Sequence, residues 1–167
     1  MTVFITGGAG FIGSNFAHHM SEYDVVILDK LTYAGDVDNL YPLDVPVKGV
    51  DLAYENRLEE LFNQYKPRFI FNFAAETHVD NSINNVHPFI DSNIIGTVNL
   101  LNLSVKYGVE RFHHISTDEV YGALNYDDPP FTETTPYNPQ NPYSASKAAS
   151  DHFVMSYHNT YGLPVVI

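Results

Sequence analysis

Near the N-terminus, a glycine-rich turn separates a short apolar run from a stretch with helical character. The apolar run is residues 3–6, the turn is residues 7–13, and the helical stretch is residues 14–20. Glycines in such a turn let the backbone approach a bound pyrophosphate, while the helix N-terminus offers free N–H groups and a positive dipole end. The pattern predicts a strand, turn and helix that bind a dinucleotide, against the alternative of an ordinary glycine-rich turn.

A second apolar run, residues 25–28, ends in Asp29. An acid at the end of the second strand can bind the ribose hydroxyls of a dinucleotide and repel a 2′-phosphate. The alternative is that Asp29 caps the turn that follows it. We therefore predict NAD as the cofactor, with a preference over NADP of at least about tenfold, or roughly 1.4 kcal/mol.

Apolar strands and helices alternate along the rest of the chain. Further strands are predicted at residues 47–50, 69–73, 112–116 and 164–167, and further helices at 54–65, 89–107 and 143–161. This alternation with short links favours an α/β fold with a parallel, doubly wound sheet of the Rossmann type. A chain of 167 residues buries about 70% of its unfolded surface, so residues 1–167 fit one domain.

The composition limits the partners of the chain. It carries 20 acidic and 8 basic residues, with a net charge of −12 and no basic cluster, so we expect neither nucleic acid nor an anionic membrane as partner. No leader-like segment and no run of about 18 apolar residues occurs, and we expect a cytoplasmic protein. The absence of cysteine excludes disulfides and thiolate chemistry.

Two pairs of adjacent histidines, His18 with His19 and His113 with His114, are the remaining candidates for metal ligands. Neighbouring side chains on a helix or strand point apart, whereas ligand pairs on a helix stand at i and i+4. We therefore expect no metal site and interpret these histidines as surface or half-buried residues.

Two segments in the second half of the chain carry groups that move protons. Thr117 precedes the adjacent carboxylates Asp118 and Glu119, and Tyr143 stands at i and i+4 with Lys147. On a helix Tyr143 and Lys147 share a face, and a cation beside a phenol lowers its pKa so that it can act as a general base. The acidic pair follows a predicted strand, where open α/β sheets bind ligands, which favours a catalytic role over a solvated turn.

Together these motifs resemble the extended short-chain dehydrogenase/reductase superfamily, and within it the dTDP-glucose 4,6-dehydratase family. The resemblance lies in residues 6–13, 29–35, 74–80, 117–122 and 143–147, which follow the family's order. The glycine turn and Tyr-x-x-x-Lys are common to the superfamily, whereas the adjacent Asp-Glu after threonine indicates a dehydratase. One departure is Asn81, where the family usually has arginine, so that a positive charge near the active-site loop is missing.

The resemblance implies an NAD-dependent hydro-lyase that converts the nucleotide sugar dTDP-glucose to a 4-keto-6-deoxy sugar. A hydride moves from C4 to NAD and later to C6, and water is lost across C5 and C6 in between. Tyr143 would remove the C4 hydroxyl proton, Glu119 the C5 proton, and Asp118 would protonate the departing C6 hydroxyl. Thr117 would bind the C4 oxygen, and Lys147 the nicotinamide ribose. Neighbouring carboxylates suit this division because their repulsion favours one proton between them.

The resemblance also implies a set of residues that line the NAD site, drawn from the glycine turn, the strand ends and the catalytic helix. They are Gly7, Gly10, Phe11, Ile12, Gly13, Asp29, Lys30, Leu31, Thr32, Asp51, Leu52, Phe73, Ala74, Ala75, Glu76, Thr77, Ser92, Tyr143 and Lys147. The alternative for Phe11 and Ile12 is that they belong to the hydrophobic core. The alternative for Thr77 and Ser92 is that they are ordinary hydroxyl residues associated with helices.

The same resemblance implies partners and rival functions. The stretches 89–107 and 143–161 resemble the helices of the superfamily's four-helix dimer contact, so we expect a homodimer that buries roughly 1,200 Å² or more. Family members continue into a C-terminal part that binds the substrate nucleotide; we expect residues 1–167 to lack it, to have impaired activity alone, and to be completed by a separate chain if one exists. The alternatives are another nucleotide-sugar epimerase, dehydratase or decarboxylase, or a non-catalytic NAD-binding remnant.

Overall fold

Six parallel strands form one sheet in the computed structural model, which describes residues 1–167. The strands are β1 (Thr2–Thr6), β2 (Asp24–Asp29), β3 (Val47–Gly49), β4 (Phe69–Asn72), β5 (Arg111–His114) and β6 (Val165–Val166). Their order is β3-β2-β1-β4-β5-β6, and every pairing is parallel. The predicted doubly wound sheet is confirmed, and its strand order reverses between β1 and β4, which is where such sheets bind ligands.

Six α-helices connect the strands. They are α1 (Phe11–His19), α2 (Glu55–Tyr65), α3 (Val79–Asn84), α4 (His87–Phe89), α5 (Gly96–Tyr107) and α6 (Pro142–Tyr161). A π-helical segment, Ile90–Ile95, joins α4 to α5, and short 3₁₀ helices occur at Val37–Leu40 and Asp118–Tyr121. The long helices match the predictions to within a few residues, whereas α3, the π-helical segment and the 3₁₀ helices were not predicted.

The sheet is buried on both faces because its strands are apolar at successive positions. Phe4, Leu28 and Ile70 pack on one face with α2, α5 and α6, while Ile5 and Ile27 pack on the other with α1. Side chains that alternate between two covered faces are typical of parallel sheets. The carboxyl ends of the strands therefore rest on a close-packed base.

Local signals at both ends of α6 fix where this helix begins and ends. Asn141 accepts a hydrogen bond from the Ser144 backbone, and the Ser144 hydroxyl accepts one from the Asn141 backbone, which together form a capping box. Pro142 occupies the first turn, where its missing N–H costs nothing, and Gly162 ends the helix at a φ of +70°. The position of Tyr143 in the first turn of α6 is thus specified by its immediate neighbours.

The helix α5 is buried against the sheet, α2 and α6, yet apolar side chains remain exposed along the π-helical segment before it, along α5 itself and along α6. These are Ile90, Ile95, Val105, Phe153, Met155 and Tyr161. One face of the stretch 89–107 is therefore covered by other elements of the chain, and its outer face is exposed. None of the helices is both long enough and apolar enough to cross a bilayer.

Candidate active site

A cleft of about 400 Å³ opens at the carboxyl edge of the sheet, above the point where the strand order reverses. All of the predicted cofactor residues except Leu31 line it, and Leu28, Ala34, Gly35, Val50, Ile115 and Ser116 complete the wall. Leu31 does not line the cleft, and its backbone lies in the left-handed region at a φ of +56°. The motifs that lie apart in the sequence thus come together around one cavity.

The glycine turn is packed too tightly for any side chain at two of its positions. A Cβ on Gly7, which has a φ of +65°, would lie 2.6 Å from the Ala74 nitrogen, and a Cβ on Gly13 would lie 2.2 Å from the Gly7 carbonyl oxygen. The backbone of the turn is therefore drawn against the loop after β4 and against the start of α1. This leaves the N-terminal N–H groups of α1 facing the cleft, as pyrophosphate binding requires.

Phe11 and Ile12 are 83% and 61% exposed at the start of α1. The alternative that they are core residues is therefore wrong. Both line the cleft, where they form apolar surface next to the glycine turn. Exposed apolar side chains at the mouth of a cleft are typical of a ligand-binding surface.

Asp29 is buried at the end of β2 and accepts two backbone hydrogen bonds. Its carboxylate oxygens take the N–H of Ala9 at 3.0 Å and the N–H of Leu31 at 2.8 Å. The second bond shows that Asp29 does cap the following turn, and it holds Leu31 in its left-handed conformation. Because Asp29 also lines the cleft, the capping contact leaves its carboxylate facing the space where a ribose would lie.

The next residue, Lys30, forms an ion pair with Asp51 from the end of β3, with 2.7 Å between Nζ and Oδ2. The hydrogen bond with Asp51 raises the pKa of Lys30, so the ammonium stays charged. Both residues line the cleft. The pair joins the ends of β2 and β3 into one wall.

Asn93, in the π-helical segment, was missed by sequence reasoning. Its side chain accepts the N–H of Glu76 at 2.8 Å and donates to the Glu76 carbonyl at 3.0 Å and to the Ser146 hydroxyl at 2.8 Å. Asn93 thereby fastens the cofactor loop after β4 to helix α6. π-helical segments often occur at functional sites, but the apolar periodicity of residues 89–107 gives no sign of one.

Tyr143 and Lys147 are both buried in the first two turns of α6. The Lys147 ammonium donates to the Ile115 carbonyl at 2.6 Å, and burial lowers the pKa of Lys147 to about 8. The pKa of Tyr143 is raised, first by burial and then by the nearby carboxylates of Glu119 and Asp118, while Thr117 acts in the opposite direction. The expected lowering of the Tyr143 pKa by Lys147 is therefore absent here, because burial dominates and the ammonium is bound to Ile115.

Thr117, Asp118 and Glu119 lie beside the cleft rather than in its lining. They form the start of a 3₁₀ helix, in which the Thr117 hydroxyl accepts the N–H of Glu119 at 3.3 Å. Glu119 accepts a hydrogen bond from the Asn141 side chain at 3.1 Å, and Asp118 is exposed. Both carboxylates are close enough to Tyr143 to act on its pKa, so the acidic pair and the phenol share one site.

Asn81 lies exposed on α3, close enough to the Tyr33 hydroxyl to act on its pKa. Tyr33 donates to Glu76 in the cofactor loop at 3.3 Å. A polar residue without charge therefore stands at the rim where the resembled family has arginine.

The structure places no group of three or more His, Asp or Glu side chains where they could hold a metal ion. His113 is half-buried, as predicted, but His114 is only 1% exposed. The interpretation of His114 as a surface or half-buried residue was wrong, because β5 lies inside the sheet and carries this ring into its interior.

Comparison with known proteins places the chain in a family. Residues 4–167 match the model of a family described as GDP-mannose 4,6 dehydratase. The chain belongs to this family. It is similar to the dTDP-glucose 4,6-dehydratase of Haemophilus influenzae, with 43% identity over 183 residues that cover 100% of the chain and 54% of the relative. The predicted resemblance to these dehydratases is confirmed.

Two solved structures share the fold with TM-scores of 0.92. One is DesIV, a dTDP-glucose 4,6-dehydratase from Streptomyces venezuelae with NAD and TYD bound, at 41% identity over 99% of the chain and 54% of the other. The second is a UDP-glucose 4-epimerase from Thermus thermophilus in complex with NAD, at 35% identity over 99% of the chain and 53% of the other. The chain spans about half the length of the relatives it matches.

Proposed function

We propose that residues 1–167 are the NAD-binding and catalytic part of a dTDP-glucose 4,6-dehydratase. The observation that carries the proposal is the juxtaposition of Asp118 and Glu119 with Tyr143 at the mouth of the cleft. The likeness to a dehydratase with NAD bound supports both the cofactor and the reaction. The substrate class is a nucleotide sugar, as the names of the relatives suggest.

The cleft fits NAD in three respects. A Cβ at Gly7 or Gly13 would collide with neighbouring backbone atoms, so only glycine at these positions keeps the turn in its compact form beside the cleft. The start of α1 offers N–H groups to a pyrophosphate, and Asp29 offers a carboxylate to ribose hydroxyls. Tyr143 and Lys147 also line the cleft, where they would bind the nicotinamide ribose.

NAD, when bound, accepts a hydride from C4 of the sugar and supplies it to C6 at the end of the reaction. Tyr143 takes the proton of the C4 hydroxyl, and Thr117 binds the same oxygen. The 4-keto group makes the C5 hydrogen acidic, and Glu119 removes it. Asp118 protonates the C6 hydroxyl so that water leaves. General acid and base steps of this kind contribute typically about 10²- to 10⁴-fold each.

A charged Lys147, one helical turn from Tyr143, would favour the phenolate of Tyr143 over the neutral phenol. Burial lowers the Lys147 pKa to about 8, so its ammonium is mostly charged below that pH and increasingly neutral above it. Activity should therefore fall as the pH rises through about 8.

A nucleotide-sugar 4-epimerase is the second candidate, because the Thermus thermophilus epimerase shares the fold with the same TM-score of 0.92 as the dehydratase. The fold alone does not separate the two reactions. An epimerase has no step at C5 or C6, so it has no use for Asp118 and Glu119. The acidic pair beside Tyr143 therefore favours the dehydratase.

Deuterium exchange distinguishes the two reactions. A protein that contains residues 1–167 with a C-terminal part of the family should convert dTDP-glucose to a 4-keto-6-deoxy sugar in deuterium oxide, with deuterium at C5. Formation of a C4 epimer with no label at C5 would establish the epimerase. Failure to alter the sugar despite NAD binding would indicate a non-catalytic remnant.

We further propose that the protein is a homodimer formed by α5 and α6. Exposed apolar surface is formed by Ile95 at the end of the π-helical segment, Val105 on α5, and Phe153 and Met155 on α6. Two copies of a helix pair can cover such surface by forming a four-helix contact, which should bury roughly 1,200 Å² or more. Light scattering should show a dimer at tens of micromolar, and Phe153→Glu should give a monomer. A monomeric parent protein under these conditions would contradict the proposal.

A further inference from the structure

A chain of buried polar side chains crosses the carboxyl ends of three neighbouring strands. Thr6 ends β1, Asn72 ends β4 and His114 ends β5, and all three are essentially inaccessible to solvent. Thr6 donates to the Asn72 side-chain oxygen at 2.5 Å, and the Asn72 nitrogen lies 3.1 Å from His114 Nδ1. Buried polar groups destabilise a protein unless they are hydrogen-bonded, so these three side chains favour one specific arrangement of the strand ends.

The direction of these hydrogen bonds follows from one backbone donor. The N–H of Ala74, which can only donate, points at the Thr6 hydroxyl oxygen at 3.3 Å. Thr6 must then give its own proton to Asn72, whose amide nitrogen faces His114. His114 Nδ1 is therefore an acceptor, and its proton resides on Nε2. Burial lowers the pKa of His114 well below its usual value, so the ring is neutral.

His114 Nε2 lies near Asp151 on α6. Nε2 and Asp151 Oδ1 are 3.4 Å apart, and neither atom makes a hydrogen bond. The second oxygen of Asp151 accepts the Ser116 hydroxyl at 2.6 Å and the Tyr137 hydroxyl at 2.9 Å. The buried Asp151 carboxylate thus lies beside the end of β5 and binds two segments. One leads from β5 to the acidic pair, and the other is the proline-rich loop, residues 127–142, which leads into α6.

Asp151 follows Lys147 by one helical turn and is the carboxylate whose charge raises the pKa of that lysine. Lys147 forms no ion pair with any carboxylate and donates only to the Ile115 carbonyl. The other ionisable groups around the two residues belong to β5, the 3₁₀ helix, the proline-rich loop and α6, and they are His114, Asp118, Glu119, Tyr137, Tyr143 and His152. Among the carboxylates in this set, Asp151 alone is buried in the same interior as Lys147.

We propose that Asp151 is a positioning residue of the active site, which keeps the Lys147 ammonium charged and fixes the segment 116–121 through Ser116 and Tyr137. The catalytic consequence of this role rests on the proposed function, whereas the effect of Asp151 on the charge of Lys147 does not. The neutral His114 carries no positive charge that would cancel that of Asp151. Burial raises the pKa of Asp151, while the hydrogen bonds from Ser116 and Tyr137 act in the opposite direction and favour the carboxylate whose charge acts on Lys147.

Titration of Lys147 tests the first half of the proposal without substrate. Lysine labelled with ¹³C at Cε is followed by NMR against pH in the 167-residue chain, and the Lys147 signal is assigned with Lys147→Arg. The midpoint in the parent chain should lie near 8. In Asp151→Asn it should fall by about one pH unit, because an opposite charge is lost. Asp151→Glu should recover part of the shift, and an unchanged midpoint in a folded Asp151→Asn would overturn the proposal.

Activity tests the second half. In the dehydratase, the high-pH limb of the kcat profile should move to lower pH in Asp151→Asn by the same amount as the Lys147 midpoint. A shift of the midpoint in a protein with no dehydratase activity would refute the proposed function while leaving the assignment to Lys147 intact. A normal pH profile beside a shifted midpoint would remove Lys147 ionisation from the reaction and overturn the catalytic part.

Tyr137→Phe provides a milder variant in case Asp151→Asn does not fold. It removes one hydroxyl from a partly exposed loop residue and leaves the charge of Asp151 in place. We expect kcat to fall at least about fivefold while NAD affinity stays within about twofold, since the loss concerns the segment 116–121. Tyr107→Phe, which removes a hydroxyl bonded to Glu59 far from the cleft, is the control and should change neither. An unchanged kcat in Tyr137→Phe would overturn the positioning of that segment.

Discussion

The glycine turn after β1 and the acidic segment after β5 lie at the same edge of the sheet, but they are built in different ways. The turn at Gly7 and Gly13 is packed backbone against backbone and leaves no room for side chains. Glu119 and Lys147, by contrast, are charged side chains, which hydrogen bonds to Asn141 and Ile115 hold in place. If the proposed function is right, substitutions in the first region should weaken NAD binding, and substitutions in the second should impair the chemistry.

Separating the two regions from the rest of a larger protein should produce the largest effect. Tested alone, residues 1–167 should bind NAD but turn over dTDP-glucose at no more than about a thousandth of the rate of a protein that also carries a C-terminal part of the family, or roughly 4 kcal/mol. Interactions with the remote nucleotide orient the reacting sugar, and those would be missing. Isothermal calorimetry and a keto-sugar assay measure the two quantities, and near-normal turnover by residues 1–167 would contradict this view.

Glu119→Gln should separate chemistry from binding within one protein. The substitution keeps the hydrogen bond to Asn141 but removes the base, so deuterium incorporation at C5 should fall about a hundredfold or more. NAD affinity should stay within about twofold, because Glu119 does not line the cleft. Mass spectrometry of the sugar gives the first value and calorimetry the second. A comparable loss of NAD affinity in Glu119→Gln would show that the acidic segment also contributes to cofactor binding, and would contradict the prediction.

Gly13→Ala should, in contrast to Glu119→Gln, weaken NAD binding. The new Cβ would lie 2.2 Å from the Gly7 oxygen, so the turn must move. Overpacking costs typically about 1–3 kcal/mol, and a loss of about 2 kcal/mol corresponds to roughly thirtyfold weaker NAD binding. Gly49→Ala is the matched control, because a Cβ there meets nothing within 4 Å. Equal NAD affinities in both variants would show that the turn tolerates a side chain.

The smallest effect concerns the carboxylate at the far end of the cofactor cleft. Asp29 should make NAD bind at least about tenfold more tightly than NADP, or roughly 1.4 kcal/mol. Unlike the glycines, which affect binding through the backbone, Asp29 should distinguish NAD from NADP through the charge of its side chain. Calorimetry with both dinucleotides measures the ratio, and equal affinities would remove Asp29 from this role.

Much of the sheet could be predicted because its strands are continuous apolar runs. Residues 25–28 are all buried, and in the run 69–73 Ile70 and Asn72 are buried while the three phenylalanines pack half-buried on the opposite face, as covered faces of a parallel sheet require. Most of the cleft lining could be predicted from the family resemblance that the short motifs carry. Helix α3, by contrast, is six residues long, and its largest apolar side chain, Ile83, is exposed, so no periodic pattern marks it.

The polar interior could not be predicted, since it depends on partners distant in the chain. Asn72 and His114 are polar residues at strand ends, where exposure is the ordinary expectation. Only the sheet register, which pairs Asn72 with His114, brings them together. The direction of the Tyr143 pKa shift was unpredictable for a related reason, because helical spacing places Lys147 nearby but does not show that its ammonium is bound to Ile115.

The close approach of Gly7 to Ala74 has a consequence for protein engineering. A Cβ at position 7 would meet the nitrogen and Cα of Ala74 and the carbonyl carbon of Phe73, so the loops after β1 and β4 share one volume. Neither loop can be lengthened, shortened or replaced without a compensating change in the other. A chimera that imports the loop after β1 alone should therefore fold poorly, whereas one that transplants both loops together keeps the contact between them.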